Sequence, residues 1–306
     1  MPNHAYHATA APGVVQRARS TKAGRKLERG GYLTAETVTM WVVYALTLVG
    51  NAVIEGGQVG GNTSATVAYG VFTWFTPAGY VFSIWSLIYV ALIGWLVAYT
   101  RAAPTRPDRF SFASVLFIAS CVTNVLWLAL WHFEMIGVSF IVILAMWFVL
   151  GALYLNVRRT AKTPSGWVPI SIYTAWVTVA TLSNLTILAT RMLDGGIPFF
   201  NGLFTILLTA GVLAFGYVMK KVYDDMAFQL VFLWALVGVG VNVAAASEFT
   251  AAIVFLLCVV GAIVTFAPLG SIRKLVRTQR TPHASPYGGN QAAWQGRAPR
   301  RAAWCV

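Results

Sequence analysis

Eight long apolar stretches, separated by short polar segments, make up most of this chain. They run over about residues 38–55, 79–100, 111–131, 138–156, 168–190, 200–219, 226–245 and 249–268. A helix needs about 20 mainly apolar residues to cross the hydrocarbon core of a bilayer. The pattern therefore predicts an all-α integral membrane bundle with eight spans.

The composition agrees with that prediction. Hydrophobic residues account for 58% of the 306 residues and charged residues for only 10%. An ordinary soluble domain carries about a quarter charged residues. Most of the chain is therefore expected to be surrounded by lipid.

The basic residues predict the orientation of the eight spans. Alternating the spans across a membrane puts 21 of the 22 Lys and Arg residues on one side and leaves only Arg191 on the other. Basic loops mark the cytoplasmic face. We therefore predict a multi-pass protein of the cell (plasma or inner) membrane with both termini in the cytoplasm. This placement accounts for the net charge of +13, so we expect membrane lipids and no nucleic acid as partners.

Composition divides the chain into four parts. Residues 1–37 form a basic cytosolic arm, 38–190 a five-span module, 191–268 three additional spans, and 269–306 a basic cytosolic tail. The tail is rich in Arg, Pro, Gly, Gln and Ser without a repeating apolar face, so we predict that it is disordered.

Aromatic and amide residues recur in order along spans two to five. At the entry to span two, Trp74 and Pro77 precede Phe82, Trp85 and Tyr89. Span three contains Asn124 and Trp127 at a spacing of three, and span four contains Trp147. In span five Tyr173 and Trp176 are followed by Asn184, eight residues after the tryptophan.

These motifs, in this order, resemble the tryptophan-rich TspO/translocator protein family over about residues 38–190. Two positions depart from the family pattern: Ala78 stands where a second proline is usual, and Phe82 and Trp85 are one residue closer together. The resemblance implies a five-helix bundle whose cavity is closed by the loop between spans one and two. It also implies a flat hydrophobic ligand, either a tetrapyrrole such as protoporphyrin or haem, or a sterol-like molecule. The ligand-binding residues implied are Trp74, Pro77, Phe82, Trp85, Tyr89, Asn124, Trp127, Trp147, Trp176 and Asn184.

Four asparagines lie within predicted spans: Asn51, Asn124, Asn184 and Asn242. Each falls late in an odd-numbered span, so together they form a layer in the outer half of the membrane. For Asn51 and Asn242 we favour hydrogen bonds between helices, the usual role of a buried amide in a membrane. Asn124 and Asn184 accompany Trp127 and Trp176, and aromatic walls with a few polar groups are typical of ligand pockets. A solid core remains the alternative for these two.

The first external loop, from Glu55 to Thr76, begins with a glycine run and ends in aromatic residues. This composition fits a flexible lid over an outer pocket. A loop that rests on the membrane surface is the alternative.

The sequence offers little for catalysis or metal binding. It has no paired buried carboxylates, no nucleophile with a base and no metal-ligand spacing. We therefore predict no catalytic residue, no metal site and no required cofactor, with porphyrin or haem as a ligand only. Among the histidines, His132 alone lies near a membrane mouth, where haem ligation and proton transfer are conceivable roles; we expect it to be solvated.

These observations favour a receptor or sensor-type protein that binds a hydrophobic small molecule. A secondary transporter of a small apolar or amphipathic solute ranks second, and enzymatic tetrapyrrole breakdown third. Trp234 and Asn242 repeat the spacing of Trp176 and Asn184, which hints at the internal duplication found in transporters. A homodimer is compatible with the sequence.

Overall fold

A computed structural model of the chain describes residues 33–103, 109–193 and 197–266. The predicted tail and all but the last five residues of the predicted arm lie outside these ranges. The described residues up to Thr265 form one compact unit.

Nine α-helices form the regular structure of the described residues. They are α1 (Ala35–Gly56), α2 (Ser64–Tyr69), α3 (Ile84–Arg101), α4 (Phe112–His132), α5 (Ile136–Thr160), α6 (Val168–Met192), α7 (Pro198–Tyr223), α8 (Ala227–Ala244) and α9 (Glu248–Phe266). All except the short α2 belong to segments long and apolar enough to cross a membrane. The predicted all-α membrane bundle with eight spans is therefore confirmed.

The two ends of the bundle differ in charge. Arg101, Arg158 and Lys220 lie where α3, α5 and α7 end, and this end is called the basic end. The opposite end, called the loop end, carries α2 and the turns around it. Side-chain caps begin two of the spans at the basic end: the hydroxyls of Thr34 and Ser111 accept backbone N–H groups of α1 and α4. Such caps satisfy donors that have no partner inside the helix.

Buried carboxylates tie helices together at the basic end. Glu36 on α1 is 5% exposed, and its Oε1 accepts hydrogen bonds from Tyr99 Oη at 2.7 Å and from the Ser111 backbone N–H at 2.9 Å. Asp225, just before α8, is fully buried. Its Oδ2 accepts from Tyr154 Oη at 3.1 Å and from Ser171 Oγ at 2.6 Å. The second carboxylate therefore connects α5 and α6 to the start of α8.

The connection from α2 to α3 runs against α8. The Ala78 N–H donates to the Gly238 carbonyl at 3.0 Å, and the Trp234 indole N–H donates to the Val81 carbonyl at 3.2 Å. Gly238 permits this approach because a Cβ there would overlap the Val81 methyl group. The spans beyond residue 190 therefore share the core of the first five.

Asn242 also holds this connection, since its Nδ2 donates to the Thr73 carbonyl at 3.1 Å. The prediction of a helix-to-helix bond for Asn242 was therefore wrong. The acceptor is the Thr73 carbonyl, which belongs to the loop and not to another helix.

Candidate functional site

The half of the bundle near the loop end contains a cavity of about 340 Å³ between α1, α3 and α4. Ligand pockets in proteins occupy about 300–1,000 Å³, so this cavity is at the small end of that range. It is called the main cavity, and the residues that matter most in its wall are Asn51, Glu55, Trp85, Tyr89, Asn124 and Trp127.

Trp85 is the centre of the aromatic wall. Its ring centroid lies 5.8 Å from that of Tyr89, 5.9 Å from that of Trp127 and 6.1 Å from that of Trp176. Tyr89 follows Trp85 by one helical turn on the same face of α3. The rings of Trp85 and Tyr89 stack at an interplanar angle of 23°. Trp127 is tilted by 33° from Trp85, and Trp176 meets Trp85 edge to face at 88°.

An amide network forms the polar part of the wall. Asn51 Nδ2 donates to Tyr89 Oη and to Asn124 Oδ1, both at 2.7 Å. These bonds link α1, α3 and α4, as predicted for Asn51, but the same residue also lines the cavity. Asn51 Oδ1 and Trp127 Nε1 are buried and have no hydrogen-bond partner among the described residues. Buried polar atoms are normally paired, so these two unpaired atoms are exceptions within the cavity wall.

The start of α2 covers the main cavity. Ser64 lines it and is 7% exposed. The Glu55 carboxylate accepts from the Ser64 N–H at 3.1 Å and from Ser64 Oγ at 2.6 Å. The Trp131 indole N–H donates to the Ser64 carbonyl at 3.2 Å. Three hydrogen bonds therefore fasten the cover to α1 and α4.

His132 lies beneath this cover, fully buried. Its Nδ1 is 2.9 Å from the Leu128 carbonyl oxygen, which can only accept, so Nδ1 carries a proton. Its Nε2 is 3.2 Å from Glu55 Oε2, an ion-pair distance without good hydrogen-bond geometry. The prediction of a solvated His132 was wrong, because the turn before α2 packs on this residue and Asn62 Nδ2 donates to its carbonyl at 3.0 Å.

The glycine run in the loop forms an ordered turn. Gly60 and Gly61 have φ of +76° and +79°, a region that favours glycine. A Cβ on Gly60 would lie 2.8 Å from the His132 carbonyl oxygen. Farther along, Tyr69 Oη donates to the Pro77 carbonyl at 2.7 Å. Burial raises the pKa of the Tyr69 phenol, so this hydroxyl keeps the proton that it donates.

Most residues predicted for the site come together. Phe82, Trp85, Tyr89, Asn124 and Trp127 line the main cavity. Pro77, Trp176 and Asn184 line a side gap of about 20 Å³, which shares Phe82, Trp85 and Trp127 with the main cavity. Residues of spans two, three and five therefore meet at the side gap, but the larger space lies between spans one, two and three.

Two predicted site residues lie elsewhere. Trp74 lines a groove of about 380 Å³ between α6 and α7, where its ring packs near Gly202. Trp147 on α5 is half-buried, and its indole N–H donates to Thr178 Oγ1 on α6 at 2.9 Å. The structure thus places neither ring in the main cavity.

Asn51, Glu55 and Ser64 are among the wall residues that sequence reasoning left out of the site. Their spacing carried a signal for two of them, since Asn51 and Glu55 lie one turn apart on the same face of α1. Ser64 could not be found in this way, because its place depends on the fold of the loop.

A larger crevice of about 640 Å³ lies between α3, α6 and α8. Leu87, Ile172, Leu230 and Trp234 make much of its lining. Ser83, Ile84 and Leu87 face this crevice, whereas Phe82, Trp85 and Ser86 face the main cavity. The start of α3 therefore separates the two spaces.

The fold and the cavity define a multi-pass helical membrane protein with an internal cavity walled by tryptophan and asparagine. A sequence model of the TSPO-like protein family matches residues 37–269. The chain therefore belongs to the TSPO-like protein family, and the match covers all eight spans, continuing past residue 190 where we expected the resemblance to end. Comparisons with curated proteins and with solved structures gave no match.

Proposed function

We propose that this protein is a receptor or sensor-type membrane protein that binds a flat hydrophobic ligand in the main cavity. The ligand classes are a tetrapyrrole such as protoporphyrin or haem, and a sterol-like molecule. The observation that carries the proposal is the Trp85 ring, which stacks on Tyr89 and lies beside Trp127 in the wall of a covered cavity of about 340 Å³. Apolar walls with a few polar groups are typical of small-molecule sites.

His132 does not favour haem as an iron-bound group. Its ring is fully buried and does not line the main cavity, and its Nε2 faces Glu55 Oε2 at 3.2 Å. Haem therefore enters the proposal as a flat ligand and not as a cofactor.

The proposal is tested by tryptophan-fluorescence titration of the purified protein with protoporphyrin, haem and a sterol. We expect a saturable change with at least one of them, because a ligand in the main cavity lies against Trp85 and Trp127. Flat traces with all three would argue against the proposed ligand classes. Linear, unsaturable traces would indicate partition into detergent only.

We also propose that the protein lies in the cell membrane with the loop end outside and both termini in the cytoplasm. Arg101, Arg158, Arg159 and Lys220 at the basic end support this orientation through the positive-inside rule. The main cavity then lies in the outer half of the bilayer.

Cysteine labelling in intact cells tests that orientation. Gly56→Cys and Ser165→Cys both place a thiol at an exposed position, at the loop end and the basic end respectively. A Cβ on Gly56 meets no atom within 4 Å. In a background without the native cysteines, we expect a membrane-impermeant maleimide to label position 56 and to label position 165 only after lysis. The reverse pattern would contradict the orientation.

A secondary transporter of a small apolar or amphipathic solute is the second candidate. The observation that favours it is the pair of spaces on opposite faces of the start of α3. A solute exchanged between them would pass Phe82 and Ser83. The repeated Trp and Asn spacing gives no further support, because Trp234 and Asn242 bind the loop whereas Asn184 Nδ2 donates to Ser139 Oγ.

A further inference from the structure

We infer that the polar end of the ligand is a hydrogen-bond donor, either a hydroxyl or an ammonium group, and that the main cavity disfavours a carboxylate. This inference rests on the proposed function and names the chemistry of the ligand more closely. It follows from the charges, the unpaired atoms and the aromatic faces of the cavity wall.

The first step is the charge of the wall. Among the described residues that line the main cavity, Glu55 is the one carboxylic acid, and none is Lys, Arg or His. Arg191 is the basic side chain at the loop end of the described chain. Its Nη2 forms an ion pair with Glu134 Oε2 at 2.9 Å, and it does not line the cavity. A carboxylate ligand would therefore meet an acid without a compensating cation, and like charges in a partly desolvated site repel strongly.

His132 does not supply that cation. Its ring lies outside the cavity lining, and its Nε2 faces Glu55 Oε2 at 3.2 Å. A second proton on the imidazole would therefore be balanced by the Glu55 carboxylate. The pair of His132 and Glu55 therefore presents no net positive charge to a ligand.

The second step is the unpaired acceptor. Asn51 Oδ1 is buried and has no partner, while Asn51 Nδ2 donates to Tyr89 Oη and to Asn124 Oδ1. Glu55 lies one helical turn farther along the same face of α1. A donor on the ligand would satisfy Asn51 Oδ1, whereas a carboxylate would place a lone pair against it.

The third step is the aromatic wall. Trp85, Tyr89 and Trp127 line the cavity, and an aromatic ring attracts a cation that lies over its face. The free Trp127 N–H adds one neutral donor, which suits an ether, carbonyl or second hydroxyl oxygen. The expected ligand is thus a flat apolar body with a donor at one end. A sterol-like hydroxyl fits this description; a dicarboxylate tetrapyrrole fits only with its carboxylates outside the cavity.

Three probes that share one flat ring system test the inference: 1-pyrenemethylamine, 1-pyrenemethanol and 1-pyrenecarboxylic acid. Binding to the full chain in zwitterionic lipid nanodiscs is measured by energy transfer from tryptophan to pyrene, with empty nanodiscs as the partition control. We expect the amine and the alcohol to bind at least about tenfold more tightly than the acid, the scale expected for one like-charge contact.

Glu55→Gln tests the residue that causes the difference. The amide keeps an oxygen for Ser64 while removing the charge, so we expect the acid to approach the alcohol in affinity. Glu134→Gln is the matched control, because Glu134 lies at the same end and outside the cavity lining. It should leave the tenfold difference unchanged.

The outcomes separate this inference from the proposed function. Equal binding of all three probes, or tighter binding of the acid, would overturn the donor preference and leave the aromatic site intact. A preference that persists in Glu55→Gln would overturn the role of Glu55. No saturable binding by any probe would remove both the inference and the proposed site.

Discussion

Replacing Asp225 by asparagine is expected to lower the free energy of unfolding by about 3 kcal/mol. The carboxylate is fully buried and accepts from Tyr154, from Ser171 and, through Oδ1, from the Ala227 N–H at 2.9 Å. An amide has one oxygen and would turn its NH2 group toward either the two hydroxyls or the N–H of α8. Buried donors would then lack an acceptor.

Thermal unfolding in detergent measures this effect, with Asp224→Asn as the matched control. Asp224 is the exposed neighbour with φ of +50°, a conformation that asparagine tolerates. We expect a clear fall in melting temperature for position 225 and little change for position 224. Equal melting temperatures for both variants would show that the buried carboxylate does not hold α5, α6 and α8 together.

Replacing Trp85 by alanine is expected to weaken binding of a flat hydrophobic ligand by up to about 100-fold, since burial of a large side chain contributes up to about 3 kcal/mol. Trp85 is the ring that contacts Tyr89, Trp127 and Trp176 together. Its loss removes the stacking surface at the centre of the wall and enlarges the cavity.

Trp74→Ala is the control for this prediction. It removes a side chain of the same type, also a tryptophan, from the groove between α6 and α7, outside the main cavity. In the pyrenemethanol titration we expect Trp85→Ala to lose affinity and Trp74→Ala to retain it. The opposite result would move the site to the α6 and α7 groove.

The fold was predictable because a membrane span can be recognised from its apolar sequence alone. Each span is a run of about 20 apolar residues, and the placement of basic residues required an even number of spans. Even individual bounds agree: the fifth span was expected at 168–190, and α6 covers Val168–Met192.

The site was predictable only where helical spacing places residues. Trp85 with Tyr89, and Asn124 with Trp127, share helix faces, so their convergence followed once the helices were known. The position of Trp74 outside the main cavity could not be predicted, because residues 71–83 lack a helical period. Long-range bonds set their path, such as those from Ala78 to Gly238 and from Asn242 to Thr73.

Asn51 and Glu55 show a second limit. An amide within a span can bond to another helix or face a cavity, and Asn51 does both. Glu55 at a helix end resembles an ordinary solvated acid until the cover over it is known. Its role depends on Ser64 and His132, which are distant in sequence and meet it only in the folded chain.

Photoaffinity labelling tests the central claim, that the main cavity is the ligand site, most directly. A flat, neutral probe carrying a diazirine is irradiated with the protein in nanodiscs, and the adducts are mapped by mass spectrometry with and without excess 1-pyrenemethanol. The account predicts competed adducts on residues 82–89 of α3 and its preceding turn and on residues 124–128 of α4. Competed adducts confined to residues 224–234, in the crevice beside α8, or to residues 200–207 of α7 would contradict it.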